Sequence, residues 1–551
     1  MMDRSGTSTY QYDGLGRITE VIDGDGNVTQ YQYDESDNLQ SITYPDGKVV
    51  LYEYDKNDNL TKVTDRTGAI TTYVYDALNR VTEIHRPNNI NTYQTYNARN
   101  QIISMKNVCE DDDCGWIVSQ YDYTYDKRGF ISSEKAVESL YGYVYDEKHN
   151  GKHEDKHDSL YPHGNKHKNK HDKDGTYHYQ IIETNRTFVY DDNGQLLEAH
   201  EQEENIGNID YTFTYDSVGN RLSYEKKVNK TVTESAEYTY NSANQKISAK
   251  LYDGKKKTTL SYAYDKDGNL ISETGKKGTD KVETTYVYTV ENRLKAVYEG
   301  KELLMAAAYD GDGNRIFQLN YNLHTDDDNK NNNGNGNGNN KDNTGSGNNG
   351  NGNGNSNKNG NANGNTNNTG GSQNNNGILM PEKPVSDLEQ ELIDLIKVTG
   401  HEKNYELIAY VNDVNREYTE VLMEQNIDGE LDTAYTYGNE RLTVERFTGW
   451  TGYYQYDPRE SVSGITSEEG VLRASYRYDP FGGIRFGSPQ YNNVYAYHGE
   501  DYNPNTEFQY LRARYYDTET GAFVSEDSWL GETTNPLTLN WYTYMLNNPL
   551  N

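Results

Sequence analysis

The chain has 551 residues, a formal net charge of -33 and 33% hydrophobic residues, and 53 of its residues are tyrosine. A surface this acidic argues against nucleic acid and anionic membrane as partners, which both call for basic residues, and no apolar run approaches the length of a membrane span. Without its tyrosines so polar a chain would fall in the disordered class. Order has to come from the Tyr rings, which bury large surfaces but need a hydrogen-bond partner for each hydroxyl.

The first residues, "MMDRSGTSTY", carry no apolar signal region and run straight into a repeat, so the true N-terminus is expected upstream of this chain. The repeat opens as "TYQYDGLGRITEVIDGDGNVTQYQYDESDNL". Its second Tyr falls at Tyr12, Tyr33, Tyr54, Tyr75 and Tyr96, steps of 21 by subtraction. Later copies drift, to Tyr125, Tyr145, Tyr190, Tyr215, Tyr240, Tyr264, Tyr288 and Tyr309. Such a period marks a repeat architecture. Four residues after the Tyr come Gly16, Asp37, Asp58, Asn79, Asn100, Gly129, Gly194, Gly219, Asn244, Gly268, Asn292 and Gly313, residue types that tolerate positive φ; His149 breaks the rule. The residue after the Tyr is usually Asp (Asp13, Asp34, Asp55, Asp76), whose side chain can cap a turn.

Tyr10 and Tyr12, Tyr31 and Tyr33, Tyr52 and Tyr54 sit two apart, so each pair shares one face of a strand. Gln11, Gln32, Glu53 and Val74 then take the other, mostly wet face. Ile18, Leu39, Leu60, Val81 and Ile102 begin a second strand. Each copy is a hairpin. One hairpin cannot bury its Tyr face alone, but many in series can, as a long sheet coiling around an enclosed space. The predicted fold is all-β: tandem hairpins in a hollow β-cage, with a short helix and disordered insertions. "DGDGN" at 23–27 and 310–314 resembles a calcium loop, but Val28 and Arg315 stand where that loop needs Gly, so both are read as hairpin turns.

Cys109 and Cys114, in "CEDDDC", are compatible with a short-loop disulfide or with two free thiols. A disulfide would fit an extracytoplasmic site. Repeats fill 1–146 and resume over 180–323. Between them, 147–179 is His- and Lys-rich. His149, His153 and His157 are spaced by four, as are His163, His167 and His171, a spacing that on a helix could hold Zn or Ni. Gly151, Pro162, Gly164 and Gly175 oppose a helix, so the segment reads as a solvated, disordered loop. The Asn/Gly-rich stretch 324–377 reads as a flexible tether, expected outside the enclosed space or through a seam. Within 378–400, "SDLEQELIDLIKVTG" predicts a short helix. Ser386 and Glu389 form its capping box, Leu388, Leu392, Leu395 and Ile396 share a face, and Gly400 is its stop. Further repeat-like text covers 401–475.

"YQYDGLGRI", "YAYDKDGNL" and "FVYDDNGQL" match the YD repeat of Rhs and wall-associated proteins, which is similar to the YD shell of teneurins and of toxin-complex C subunits. Residues 476–551 resemble the Rhs repeat-associated core: Tyr478-Asp479-Pro480-Phe481-Gly482, then Leu511-Arg512-Ala513-Arg514-Tyr515-Tyr516-Asp517, Gly521, Phe523, Asp527 and Asn547-Asn548-Pro549. The resemblance implies a secreted or cell-surface shell that encloses and delivers a C-terminal toxin or effector polypeptide in cis. It implies a core that plugs one end and, in many members, cuts the chain after a later Asp-Pro-x-Gly motif, two carboxylates sharing a proton to activate water. Asp527 matches the first carboxylate, although Ser528 stands where the family usually has Pro, and Asp517 is the weaker candidate. The second carboxylate and the cleavage motif would follow Asn551, so this chain as written is not expected to cut itself. No H-E-x-x-H, G-x-S-x-G or P-loop appears, and no cofactor is expected. Two other readings stay open: a surface protein whose aromatic-polar repeats bind glycans, told apart by outward-facing rings, and a self-cleaving protease if the chain continues past 551.

Overall fold

The computed structural model describes residues 2–3, 6–110, 116–141, 179–204, 206–254, 256–277, 280–321, 386–399, 405–426, 429–487 and 493–550. The seven histidines of the 147–179 segment, the 324–377 stretch, Cys114 and Gly400 lie outside them.

One turn generates the architecture. The Asp13 N–H donates to the Arg17 carbonyl at 3.0 Å and the Gly16 N–H to the Asp13 carbonyl at 3.1 Å. Asp13 Oδ1 accepts from the Leu15 and Arg17 N–H groups at 2.9 and 3.0 Å. Tyr12 then pairs with Ile18 across a bulge. This is a tight turn followed by a left-handed residue that forms a bulge. The left-handed position is the one the sequence predicts: Gly16 has φ 85°, Asp37 77°, Asp58 61°, Asn79 59° and Asn100 63°. Asp23 and Asp310 build the same turn by accepting from the N–H groups of Asn27 and Asn314, so both "DGDGN" segments are hairpin turns.

Most of the key Tyr hydroxyls among the described residues find their partner one repeat back. Tyr33 donates to the Ile18 carbonyl, Tyr54 to Leu39, Tyr75 to Leu60 and Tyr96 to Val81, all at 2.7–2.9 Å. The rule persists at Tyr215 with Leu196, Tyr309 with Leu294, Tyr456 with Arg441 and Tyr478 with Val462. The ring packs inward while its hydroxyl stitches two hairpins together.

Thirty-two antiparallel strands form one sheet in chain order. Among the described residues Thr9–Tyr12 pairs only with Ile18–Ile22, and Ile484–Gly487 only with Leu472–Tyr478, so the sheet coils without closing. The two biased segments interrupt the ladder without breaking it. Ile131–Tyr141 pairs with Tyr179–Tyr190, and Arg315–Tyr321 with Tyr405–Asp413. Helix α1, Asp387–Thr399, starts with reciprocal bonds between Ser386 and Glu389. It buries Leu392 against Leu303, Phe317 and Leu319.

In the early repeats the first Tyr of each pair is buried (Tyr31, Tyr52, Tyr73), and Gln32, Glu53 and Val74 are exposed. The wet-face reading fails for the later strands. Thr436, Gln455 and Arg477 hold the same position between two tyrosines, yet each is at most 1% exposed. The cause is that Leu431–Tyr437, Trp450–Tyr456 and Leu472–Tyr478 are covered on both faces. One face meets earlier strands, as where Asn107 Nδ2, on Ile102–Cys109, donates to the Tyr456 carbonyl at 2.9 Å. The other meets residues 493–500: Tyr454 donates to Asn493 Oδ1 at 2.9 Å, and the Tyr435 and Tyr495 rings lie 5.2 Å apart edge to face. A smaller four-stranded sheet follows, from Asp501–Asn503 to Ala522–Phe523. Cys109 is disulfide-bonded, and the chain's other cysteine is Cys114. No helix among the described residues is long and apolar enough to cross a membrane.

Candidate functional site: the seam and the seated core

Where the late strands lie against the early ones, buried charges hold the seam. Arg477 Nε lies 2.9 Å from Glu138 Oε2, its Nη1 2.9 Å from Glu203 Oε2, and its Nη2 donates to Thr184 Oγ1 at 2.7 Å. Arg186 pairs with Glu134 and, at 3.6 Å, with Glu201. Arg485 pairs with Glu201 and, at 3.8 Å, with Glu203. Arg459 lies 3.0 Å from Asp457 and 3.7 Å from Glu134. Burial pushes the carboxyls of Glu134 and Glu201 up, but the facing guanidiniums outweigh it and hold both below the usual carboxylate range. Sequence reasoning missed this network. Its one local signal is acidic residues at like-facing positions of a strand, Glu201 and Glu203, and Glu134 and Glu138.

The C-terminal core is seated on the middle repeats by contacts that replace repeat-to-repeat ones. The Leu270 N–H and the Tyr288 hydroxyl both donate to the Val524 carbonyl, at 3.0 and 3.2 Å, so at Tyr288 the core stands in for the preceding hairpin. Asn540 Nδ2 donates to Asn220 Oδ1 at 2.8 Å, Tyr542 to the Gly268 carbonyl at 2.9 Å, and Asn547 Nδ2 to the Gly219 carbonyl at 2.8 Å. Arg315 forms a buried pair with Asp501, and Asn505 Nδ2 donates to the Tyr321 carbonyl at 2.8 Å. The core therefore caps the turn row and inner face of the sheet's middle third.

The two candidate carboxylates lie in this core and are not brought together. Asp527 Oδ2 accepts from Arg514 Nη2 at 2.6 Å, and its Oδ1 accepts from the Trp529 N–H at 2.9 Å. Asp517 caps a turn: Oδ1 accepts from the N–H groups of Glu519 and Thr520 at 3.0 and 3.2 Å, and Oδ2 from the Thr520 hydroxyl at 2.6 Å. No hydrogen bond or ion pair joins them among the described residues. The six candidate metal-binding histidines, His149, His153, His157, His163, His167 and His171, fall outside those residues.

A groove of about 1000 Å³ runs along the first repeats. Tyr12, Tyr33, Tyr54 and Tyr75 supply one ring per repeat, and the turn residues Asp37, Asp58 and Asn79 lie between them. Opposite, Asn415 Oδ1 lies 3.1 Å from the Tyr33 hydroxyl oxygen and Asn439 Nδ2 donates to the Tyr75 oxygen at 3.0 Å. Such a wall combines apolar ring faces with paired hydrogen-bonding groups.

The RHS Repeat family matches residues 1–28, 12–49 and 54–90, and the Teneurin YD-shell family matches residues 83–280. A tRNA3(Ser)-specific nuclease WapA of Bacillus spizizenii is 33% identical over 134 residues, 24% of this chain and 6% of that protein. Teneurin-3 of Danio rerio is 28% identical over 112 residues, 20% of this chain and 4% of that protein. Both alignments span only a small part of those relatives. Among solved structures, a chain of the Photorhabdus luminescens Tc holotoxin pore aligns with 98% of this chain and 33% of its own length, at 12% identity and a TM-score of 0.28. So low a score carries no weight here; the fold rests on the strand pairing above.

Proposed function

This chain belongs to the Rhs and YD-repeat family, and from that premise we propose that it is the structural shell of a polymorphic toxin system. In this reading it is secreted or held at the cell surface, and it encloses and delivers a C-terminal toxin or effector polypeptide in cis. The observation that supports it most is the seating of the core, which occupies the inner face of the middle repeats by polar contacts. A sheet stitched by Tyr hydroxyls and sealed by buried ion pairs forms a wall, and a core that caps it forms an end. In this reading the chain works by enclosure rather than by catalysis. In a longer chain that reaches an Asp-Pro-x-Gly motif, Asp527 supplies one of two carboxylates for self-cleavage, and Asp527→Asn blocks the cut.

The test joins a small reporter domain after Asn551 and treats the fusion with protease. Protection of the reporter until the shell is denatured supports the reading. Digestion at the rate of the free reporter sinks it.

A second reading, binding of surface glycans, is favoured by the ring-lined groove. A glycan array probed with the chain and with Tyr54→Ala decides it: specific binding lost in the variant supports a glycan site, and no binding removes it.

A further inference from the structure

A cavity of about 280 Å³ lies between the inner face of the strands from Gly207–Tyr215 to Lys257–Tyr264 and two turns of the core, at 479–482 and 517–521. It is slightly smaller than a typical small-molecule pocket, a size that suits one side chain. Its walls are aromatic. The rings of Tyr211 and Phe213 stack on Tyr224 at 6.4 and 5.6 Å.

The polar groups in the walls have capacity left over. Arg221 is 4% exposed and its guanidinium carbon lies over the Phe481 ring, 3.8 Å from its centre. Its Nε and Nη2 have no hydrogen-bond partner, and neither does the buried hydroxyl of Tyr211. A buried donor left unmade is costly, so these groups are in place for something the cavity receives. On the acceptor side, Asp479 Oδ1 takes the N–H groups of Phe481 and Gly483 at 2.8 and 3.0 Å, while Oδ2 takes none. The Glu519 carboxylate makes no hydrogen bond or ion pair among the described residues and is accessible to solvent although the core and sheet surround it. Glu234 also lines the cavity, but Lys226 neutralises it at 2.6 Å.

These features narrow the ligand. The Glu519 carboxylate and the unused Oδ2 of Asp479 repel an anion and attract a cation. The idle guanidinium asks for a carbonyl or other neutral acceptor. A polypeptide bearing a basic residue offers all of these at once. We propose that this cavity receives one Lys or Arg side chain of an extended polypeptide, its cationic head at Glu519 and Asp479 and a backbone carbonyl on Arg221. The proposal rests on the shell reading, in which a polypeptide runs along the inner face. The cavity then gives the wall a sequence preference at one point.

The test uses the full 551-residue chain and fluorescein-labelled pentapeptides Gly-Gly-X-Gly-Gly, with X as Arg, Lys, Gln or Glu, read by anisotropy at pH 8. The Arg and Lys peptides are expected to bind at least about tenfold more tightly than the Gln peptide, with no saturation by the Glu peptide. Glu519→Gln is expected to weaken the Arg peptide about tenfold, about 1.4 kcal/mol. Asp479→Asn is a second variant whose turn survives, because Asn97 and Asn241 already hold that position in other repeats. Equal binding of the Arg, Gln and Glu peptides, or an Arg-peptide affinity unchanged in both variants, overturns the proposal. The reporter-protection assay separates the two readings. Protection without peptide discrimination removes the basic-residue site and leaves the shell, whereas peptide discrimination without protection leaves the site on a protein that is not a shell.

Discussion

The tyrosines carry this fold through their hydroxyls as much as their rings. Tyr54 donates to the Leu39 carbonyl of the preceding repeat. Tyr54→Phe keeps the ring and strands that carbonyl, so it is expected to cost about 1 kcal/mol in urea unfolding. Tyr12 is 60% exposed and its hydroxyl makes no hydrogen bond among the described residues, so Tyr12→Phe is expected to be neutral in the same assay. A matching loss at both positions would remove the hydroxyl stitch as the reason for the repeat. Arg477 is the opposite kind of residue. In "YRYDP" it occupies the place held by Gln11 and Gln32 and reads as solvated, but strands far away in sequence cover that face and supply Glu138 and Glu203. Arg477→Met leaves the buried Glu138 carboxylate without its cation and Glu203 with only the more distant Arg485, and is expected to cost about 3–5 kcal/mol, part of which returns when Glu138→Gln and Glu203→Gln are added. An Arg477→Met variant as stable as the parent would mean that water reaches the seam.

At the level of the hairpin most of the structure was legible. The spacing of Tyr, Asp and Gly or Asn determines the turn because only a left-handed residue completes it, and the side-chain cap is local. Local rules could not show what the turns touch. Gly16 and Gly482 occupy equivalent positions, with φ 85° and 90°. A Cβ at Gly16 would meet nothing within 4 Å, whereas one at Gly482 would fall 2.4 Å from the Tyr497 ring. Gly16→Ala is therefore expected to cost only the backbone strain, about 1 kcal/mol, and Gly482→Ala clearly more, because the ring joining the last repeat to the core must move. Thermal unfolding of the two variants compares them directly; equal losses would show that the core yields at this joint. The seating of the core was likewise invisible in sequence, since Val524 meets Leu270 and Tyr288 across more than two hundred residues.

Across the whole molecule, the buried carboxylates fall into two sets that respond oppositely to pH. Burial pushes Glu424 and Glu440 up to about 7, and Asp23 and Asp479 up to about 6. The folded state holds these protons more tightly than the unfolded chain does. Their contribution is full below the unfolded carboxylate range, near pH 4, and is lost as pH rises through about 6–7. Glu134 and Glu201 are held low by arginines, so their contribution is present above the unfolded range and is lost as pH falls through their lowered values. Stability should therefore rise from about pH 8 to about pH 5 and collapse below about pH 4 as the seam protonates. Scanning calorimetry from about pH 3 to about pH 8.5 measures this, in the range where carboxylates titrate. A Tm that falls steadily between pH 8 and pH 5 would contradict the first set, and a Tm that holds below pH 4 would contradict the second. On the proposed shell reading, a wall that tightens under mild acid would keep an enclosed polypeptide through that range and open at its seam only under stronger acid, or when something pulls the late strands away from Glu138 and Glu203.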